Sequence, residues 1–475
     1  MSLPADERQG ALLKNTFILA LGQFLPHVVS FVTLPIYTGM LTKAEYGLYD
    51  LINVVVYVLN IVVIVQIHQA VFRYLIDVRG TSLADKYITN AYLFESVPSI
   101  VSAIVFGACF YSQPAINRAL IGLYLFLVMQ NNVSGQVARG LGKNGVYAFG
   151  AITCSVSNLI LVVFLVARIK LGFTGLLISL NVSYGLATLY QLFACKQLRF
   201  IDFKLVDKDT IKEMLAYSWP MVPNTLSIWV VNTCDKFIIR GFLGLEFNGI
   251  FAAAQKIPNI FTLAYSTFNL AWQESASISI KDKDYNKYYN DVFSALFDFL
   301  TGSLLLLIAA SPILFRILIR GDYALAYDQM PLLYLGVFLS SLSSYFGSIY
   351  IAKKATKAVG VSSAVGAVIN AVVNLAMVRW AGLYAASIST IASYLTLVLY
   401  RAIDIEKKEF AHIHYDFKHI AGCLFLIVLC SVLCYLKLLV LNWVNLCIGL
   451  VGFFVLNRTM IKQSWKSVAR RLRGN

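Results

Sequence analysis

The sequence predicts an all-α integral membrane protein with fourteen transmembrane helices, forming two parallel six-helix lobes plus two C-terminal helices. Three observations carry that prediction. First, 59% of the 475 residues are apolar and only 13% are charged. A soluble domain carries about 45–50% apolar and about 25% charged residues. The mean hydropathy of +0.72 agrees. Second, stretches long enough to cross a bilayer core of about 30 Å recur from one end of the chain to the other. Third, a motif near the start of the chain returns 202 residues later.

The fourteen spans fall at about 15–39, 47–69, 88–111, 117–138, 146–167, 173–194, 216–241, 248–272, 292–318, 329–351, 358–378, 381–401, 419–436 and 438–457. No connecting loop reaches 30 residues. A folded domain needs at least about 50, so a soluble catalytic domain is excluded. The N-terminus is polar and of mixed charge and lacks the basic n-region of a signal peptide. The first span is therefore expected to stay in the mature chain.

Orientation follows from Lys and Arg in the short loops. With the N-terminus in the cytoplasm, 28 of the 39 basic residues lie on the cytoplasmic side, 10 lie opposite and Lys256 lies within a span. The expected topology places both termini inside, in a bacterial cytoplasmic (inner) membrane. Most of the +15 net charge is thereby topological. It meets anionic membrane lipids, and no nucleic-acid partner is expected.

The repeat pairs Ile36, Gly39, Leu41 and Gly47 with Ile238, Gly241, Leu243 and Gly249, all at an offset of 202. Farther along, Gly135/Gly347 and Asn158/Asn370 agree at an offset of 212. Six spans separate the copies, so the halves run parallel, related by an axis along the membrane normal. The expected division is an N-lobe over 1–200, a C-lobe over 201–401, and two helices with a basic tail over 402–475. Repeated halves of this kind flank a central path and work by alternating access.

Polar residues inside the spans mark the candidate path. In the eighth span Gln255, Asn259, Thr262, Ser266, Asn269 and Gln273 recur every three or four residues. That spacing places them on one helical face over about 27 Å. Lys256 sits beside them. Matching polar faces are Asn53, Tyr57 and Asn60 in the second span, and Gln23, His27, Ser30 and Tyr37 in the first. They continue with Asn132, Gln136 and Arg139 in the fourth, Asn224, Ser227 and Asp235 in the seventh, and Ser363, Asn370 and Asn374 in the eleventh. One such residue can simply bond a neighbouring helix. Aligned stripes on several helices point to a water-filled path, because polar groups facing lipid are costly.

Ionisable groups within spans are fewer. Lys256, Arg139 and Lys236 could meet an anionic substrate group. Glu95, Asp235 and Asp298 are ion-coupling candidates, and each could equally serve as partner to a cation. For Asp235 that partner would be Lys236 or Arg240. The eight cysteines lie in or beside apolar stretches, without C-x-x-C and with no histidine at metal-ligand spacing. They read as packing residues, so no metal or cofactor is expected. Asp207-Lys-Asp209 and Asp282-Lys-Asp284 imitate the D-x-D of glycosyltransferases. They sit in short Lys-rich loops without a surrounding domain and read as solvated charge. With no nucleotide-binding or hydrolase motif, no catalytic residue is expected.

The opening Lys14-Asn-Thr16, Phe31, Leu34-Pro-Ile-Tyr-Thr38, Leu41 and Glu45-Tyr-Gly-Leu-Tyr49 resembles the start of bacterial polysaccharide-biosynthesis membrane proteins. Trp219-Pro-Met-Val-Pro-Asn224, Asp235-Lys-Phe-Ile-Ile239 and Gly249-Ile-Phe251 are similar to the seventh and eighth helices of the same family. These are the Wzx-type flippases of the superfamily that also holds multidrug extruders and lipid II flippases. The resemblance implies a V-shaped pair of lobes around a cationic cavity. It implies transfer of an undecaprenyl-pyrophosphate-linked oligosaccharide repeat unit, of O-antigen, capsule or exopolysaccharide, to the periplasmic leaflet. It also implies a glycan polymerase and co-polymerase as partners, and it matches Lys236 to the family's basic residue after the seventh-helix Asp. The competing readings are a cation-coupled drug antiporter and a lipid II-type flippase. The antiporter would want a carboxylate deep in the first span, and residues 15–39 contain none.

Overall fold

The computed structural model describes residues 26, 28–280, 283–353, 355–458 and 461–462. Among them the chain is α-helical and contains no strand. The helices are α1 (Val28–Met40), α2 (Lys43–Val63), α3 (Ile67–Asp77), α4 (Leu83–Cys109), α5 (Ala115–Gly140) and α6 (Asn144–Leu161), which runs on as a wider π turn to Arg168. There follow α7 (Gly172–Ala194), α8 (Lys208–Ser218), α9 (Met221–Phe242), α10 (Leu245–Ser279), α11 (Tyr285–Leu318) and α12 (Ala324–Ala352). Last come α13 (Thr356–Ala381), α14 (Tyr384–Lys407), α15 (Phe417–Tyr435) and α16 (Leu439–Leu456).

Ten of these helices are both long and apolar enough to span a membrane. The other four expected spans map onto α1, α5, α9 and α10. The described part of α1 is short, and the other three carry the polar side chains singled out above. The fourteen-span count therefore rests on reading polar helices as membrane-crossing ones.

The chain divides into two compact units, residues 1–232 and 233–475. The repeat is visible in the helix boundaries. α1 ends at Met40 and α2 begins at Lys43; α9 ends at Phe242 and α10 begins at Leu245, both at the offset of 202. α4 and α11 also begin 202 residues apart. α11 is seven residues longer than α4, and α12 is three longer than α5. Those additions convert the offset of 202 into the 212 seen later, at α6/α13 and α7/α14.

In the first unit α5 is the hub, packed by α2, α3, α4, α6 and α7. Its crossing with α4 is a backbone-to-backbone approach. A Cβ added at Gly122 would lie 2.4 Å from the Ala103 carbonyl oxygen, and one at Gly107 would lie 2.6 Å from that of Arg118. Small residues allow such contact, which membrane helices use because lipid supplies no hydrophobic drive to pack. In the second unit α12 is the hub, against α10, α11 and α14. Its core is aromatic. Trp272 stacks on Tyr345 at 4.9 Å and donates its indole N–H to the Tyr345 carbonyl at 3.2 Å. Tyr345 in turn donates to the Tyr289 carbonyl at 2.8 Å, and Tyr289 to that of Ala276 at 2.7 Å. The Trp272 N–H and the Tyr345 and Tyr289 hydroxyls are thus satisfied, as a low-dielectric core requires.

Two local features depart from the sequence expectation. The second span does not run unbroken to residue 69. It ends at Val63, and Val65 and Gln66 take φ of +49° and +56° before α3 restarts. A left-handed valine is sterically unusual, and no residue pattern announces it. The loop before the seventh span also contains a helix, α8. Asp207 caps it by accepting from the Asp209 and Thr210 amides, and pairs with Lys86 at 2.7 Å. This first D-x-D is therefore a helix start tied to α4; Asp282 of the second lies outside the described residues.

Candidate functional site

The polar stripe of α10 runs alongside its packing face. Ile257, Tyr265, Trp272 and Ala276 are buried, whereas Asn259, Thr262 and Ser266 are exposed and Gln255, Asn269 and Gln273 half-buried. Lys256 is half-buried beside them. Asn269 accepts from the hydroxyls of Ser348 at 3.2 Å and Tyr265 at 3.4 Å. The middle of the stripe thus stays open while its inner end is anchored to α12.

In the first unit the polar faces of α2 and α5 meet. Asn132 donates to Asn60 at 3.1 Å, and Tyr124 donates to Asn53 at 2.7 Å. Asn53 also donates to the Tyr49 carbonyl at 2.8 Å. Beside this ladder lies a cavity of about 270 Å³, lined by Thr33, Tyr37, Asn53, Tyr124, Asn131 and Asn158 among others. Its polar lining is neutral. Glu95 sits elsewhere, fully buried on α4. Its carboxylate accepts from Gln130 at 2.8 Å and Ser99 at 3.0 Å. Arg139 is engaged rather than open. Its guanidinium lies 4.5 Å from the Phe72 ring and 5.3 Å from that of Tyr147, and donates to Gln136 at 3.0 Å. Such stacking contributes about 0.5–2 kcal/mol.

The second unit gathers three of the sequence candidates into one cluster. Asp235, 7% exposed on α9, accepts from Asn374 of α13 at 2.7 Å and from Thr390 of α14 at 3.3 Å. Asn370 accepts from the Cys234 thiol at 3.1 Å and donates to Ser389 and Thr390 at 3.4 and 3.5 Å. Lys236, half-buried, is near enough to attract the carboxylate. Three helices thus converge on one buried carboxylate whose direct donors are neutral amide and hydroxyl groups. A carboxylate whose direct donors are all neutral can hold a proton or a small cation, because burying its charge is costly.

Asp298 is far along the chain from this cluster and serves another contact, accepting from or pairing with His419 of α15 at 2.6 Å. His419 and Cys423 stand four residues apart on one face of α15. The expectation that no histidine neighbours a cysteine at ligand spacing is therefore corrected. An i, i+4 pair is adjacent on a helix, and His419 and Cys423 have that spacing.

Gln23 and His27 lie outside the described residues, as does the side chain of Asn224. Sequence reasoning missed Gln130, Ser389 and Thr390, because hydroxyls and amides in apolar helices look like local back-bonds. It also missed Arg401, counted with the loop charges. Arg401 is 4% exposed and donates to Ser343, Ser362 and Ser363 at 2.9–3.1 Å. The serines of α12 and α13 at a matching depth were its available signal.

Comparison with known proteins places this geometry. No curated protein matches the chain. Among solved structures, a multidrug resistance MATE family transporter of the MOP superfamily, in an inward-facing conformation, matches with a TM-score of 0.65 at 13% identity, covering 82% of this chain and 98% of that one. The lipid II flippase MurJ, inward closed, matches with 0.63 at 14% identity, over 94% of this chain and 100% of that one. A MOP superfamily transporter from Pyrococcus furiosus matches with 0.55 at 13% identity, over 83% and 95%. The fold is thus that of MOP superfamily transporters, a multi-pass membrane fold and not that of an enzyme. The model of the polysaccharide biosynthesis protein family matches residues 12–273, more than half of the sequence, and the chain belongs to that family.

Proposed function

We propose that the chain flips an undecaprenyl-pyrophosphate-linked oligosaccharide repeat unit from the cytoplasmic to the periplasmic leaflet of a bacterial inner membrane. Both termini are cytoplasmic in this reading, as the Lys and Arg bias requires. The α10 stripe is the observation that carries it. Asn259, Thr262 and Ser266 are exposed on a helix of membrane length, with Lys256 beside them. A glycan wants amides and hydroxyls, a pyrophosphate wants a cation, and the polyprenyl tail can stay in lipid. Family and fold support the same reading. Asp235, with Asn374 and Thr390, is the ion-coupling site of this proposal, and a glycan polymerase is the downstream partner. Deleting the gene and extracting undecaprenyl-linked saccharides tests it. One defined repeat unit should accumulate; an unchanged saccharide profile would refute the proposal.

A further inference from the structure

The cluster around Asp298 is not used by the transport reading and has the chemistry of a metal site. Asp298 of α11 and His419 and Cys423 of α15 each offer one ligand atom, and the three atoms lie within 4.8 Å of one another. The Cys423 sulfur is 3.8 Å from His419 Nε2, which is 2.6 Å from a carboxylate oxygen of Asp298. A tetrahedral zinc ion with bonds of about 2.0–2.3 Å holds sulfur and nitrogen about 3.6 Å apart, and nitrogen and oxygen about 3.3 Å apart. The sulfur–nitrogen distance is already close to that. The histidine–carboxylate distance need open by only about 0.7 Å, which exchanging the shared proton for an ion would do.

Two further observations support a site. Thr301, one turn along α11 from Asp298, is fully buried, and its hydroxyl has no hydrogen-bond partner of ordinary geometry. It lies against the Cys423 thiol. A metal-bound thiolate would accept from that hydroxyl and satisfy it. Access is also provided. Cys423 is 3% exposed, but His419 is exposed and stands three residues after the Asp416 cap of α15, where the span meets water. The donor set of one thiolate, one imidazole and one carboxylate favours zinc-class ions over magnesium or calcium.

We propose that Asp298, His419 and Cys423 bind a zinc-class divalent cation, with one coordination position left to water, and that the ion ties α15 to α11. Binding releases the thiol proton and the proton shared by the histidine and the aspartate.

The test is titration of the metal-stripped, full-length protein in detergent with Co²⁺, followed by displacement with Zn²⁺. The wild type should bind one Co²⁺ per chain with a thiolate-to-cobalt charge-transfer band. Cys423→Ser should lose the band although seven other cysteines remain. His419→Gln should weaken binding about tenfold or more. Zn²⁺ should raise the thermal midpoint of the wild type and leave that of Cys423→Ser unmoved. Absence of the band in the wild type would overturn the proposal. So would an unchanged band and affinity in both variants, which would place the ion at another cysteine. Should Cys423→Ser not fold, His419→Gln and Asp298→Asn carry the same comparison.

Discussion

Position 33 in the first unit and position 235 in the second occupy equivalent places in the repeat, yet one is threonine and the other aspartate. The contrast extends to their surroundings. By the later offset of 212, Asn158, Val162 and Ile178 stand where the second unit has Asn370, Asn374 and Thr390. Only Asn158 keeps its character. The first unit holds a neutral cavity of about 270 Å³, and the second a hydrogen-bonded cluster around a buried carboxylate. Glu95, a buried carboxylate of the first unit, lies off this position, and its equivalent in the second unit is the buried Phe297. The two units share a helix spacing and carry different chemistry at matching positions.

Packing differs in the same sense. The first unit crosses its hub helix on glycines, and the second fills the hub with rings. The largest expected effect sharpens that difference. Trp272→Ala should cost about 3–5 kcal/mol, as truncation of a buried aromatic does, read by thermal unfolding in detergent. Gly122→Val should cost about 1–3 kcal/mol, because its side chain has only the α4 backbone to displace. If Gly122→Val left the unfolding midpoint unchanged, the close crossing of α4 and α5 would be wrong.

Asp235→Asn should lower transport at least about tenfold, equivalent to about 1.4 kcal/mol, at unchanged protein level. Thr33→Val should leave transport within about twofold, since its hydroxyl already bonds the Val29 carbonyl at 2.9 Å. Equal losses in both would refute a coupling role proposed for Asp235 alone. Glu95→Gln should have a smaller effect still, retaining hydrogen bonding to Gln130 after an amide flip, whereas Glu95→Ala leaves Ser99 and Gln130 unpaired at about 1–3 kcal/mol. A transport defect in Glu95→Gln without loss of stability would favour Glu95 over Asp235 as the proposed coupling site.

The smallest effect is at the surface. Lys86 and the Thr210 hydroxyl hold the Asp207 carboxyl well below the usual carboxylate range. A depressed carboxylate stabilises the fold above its unfolded pKa of about 3.9 and loses that contribution as pH falls toward the folded value. Hydrogen-exchange protection of α8 should therefore fall below about pH 4, and Asp207→Asn should remove the dependence. Persistence of the dependence in that variant would assign it to another group.

Ten of the expected spans and the repeat were legible because membrane length and helical spacing impose periodicities that survive in one sequence. So was the α10 stripe, since six polar residues at alternating steps of four and three have one geometric reading. Asp235, Asn370 and Asn374 were identified singly, but their meeting depends on three helices far apart in sequence. The break at Val65 and Gln66 left no trace, because neither residue favours a left-handed backbone. Arg401 was hidden by its place at the end of a span, where a charge normally meets water.

The most direct test of the account is flipping by the purified chain in vesicles that carry an undecaprenyl-pyrophosphate-linked oligosaccharide, read by access of a glycan-cleaving enzyme to the outer leaflet. The wild type should expose the inner pool of lipid-linked glycan, and Asp235→Asn and Lys256→Glu should leave it protected. Equal protection in wild-type and protein-free vesicles, under any imposed proton or sodium gradient, would contradict it.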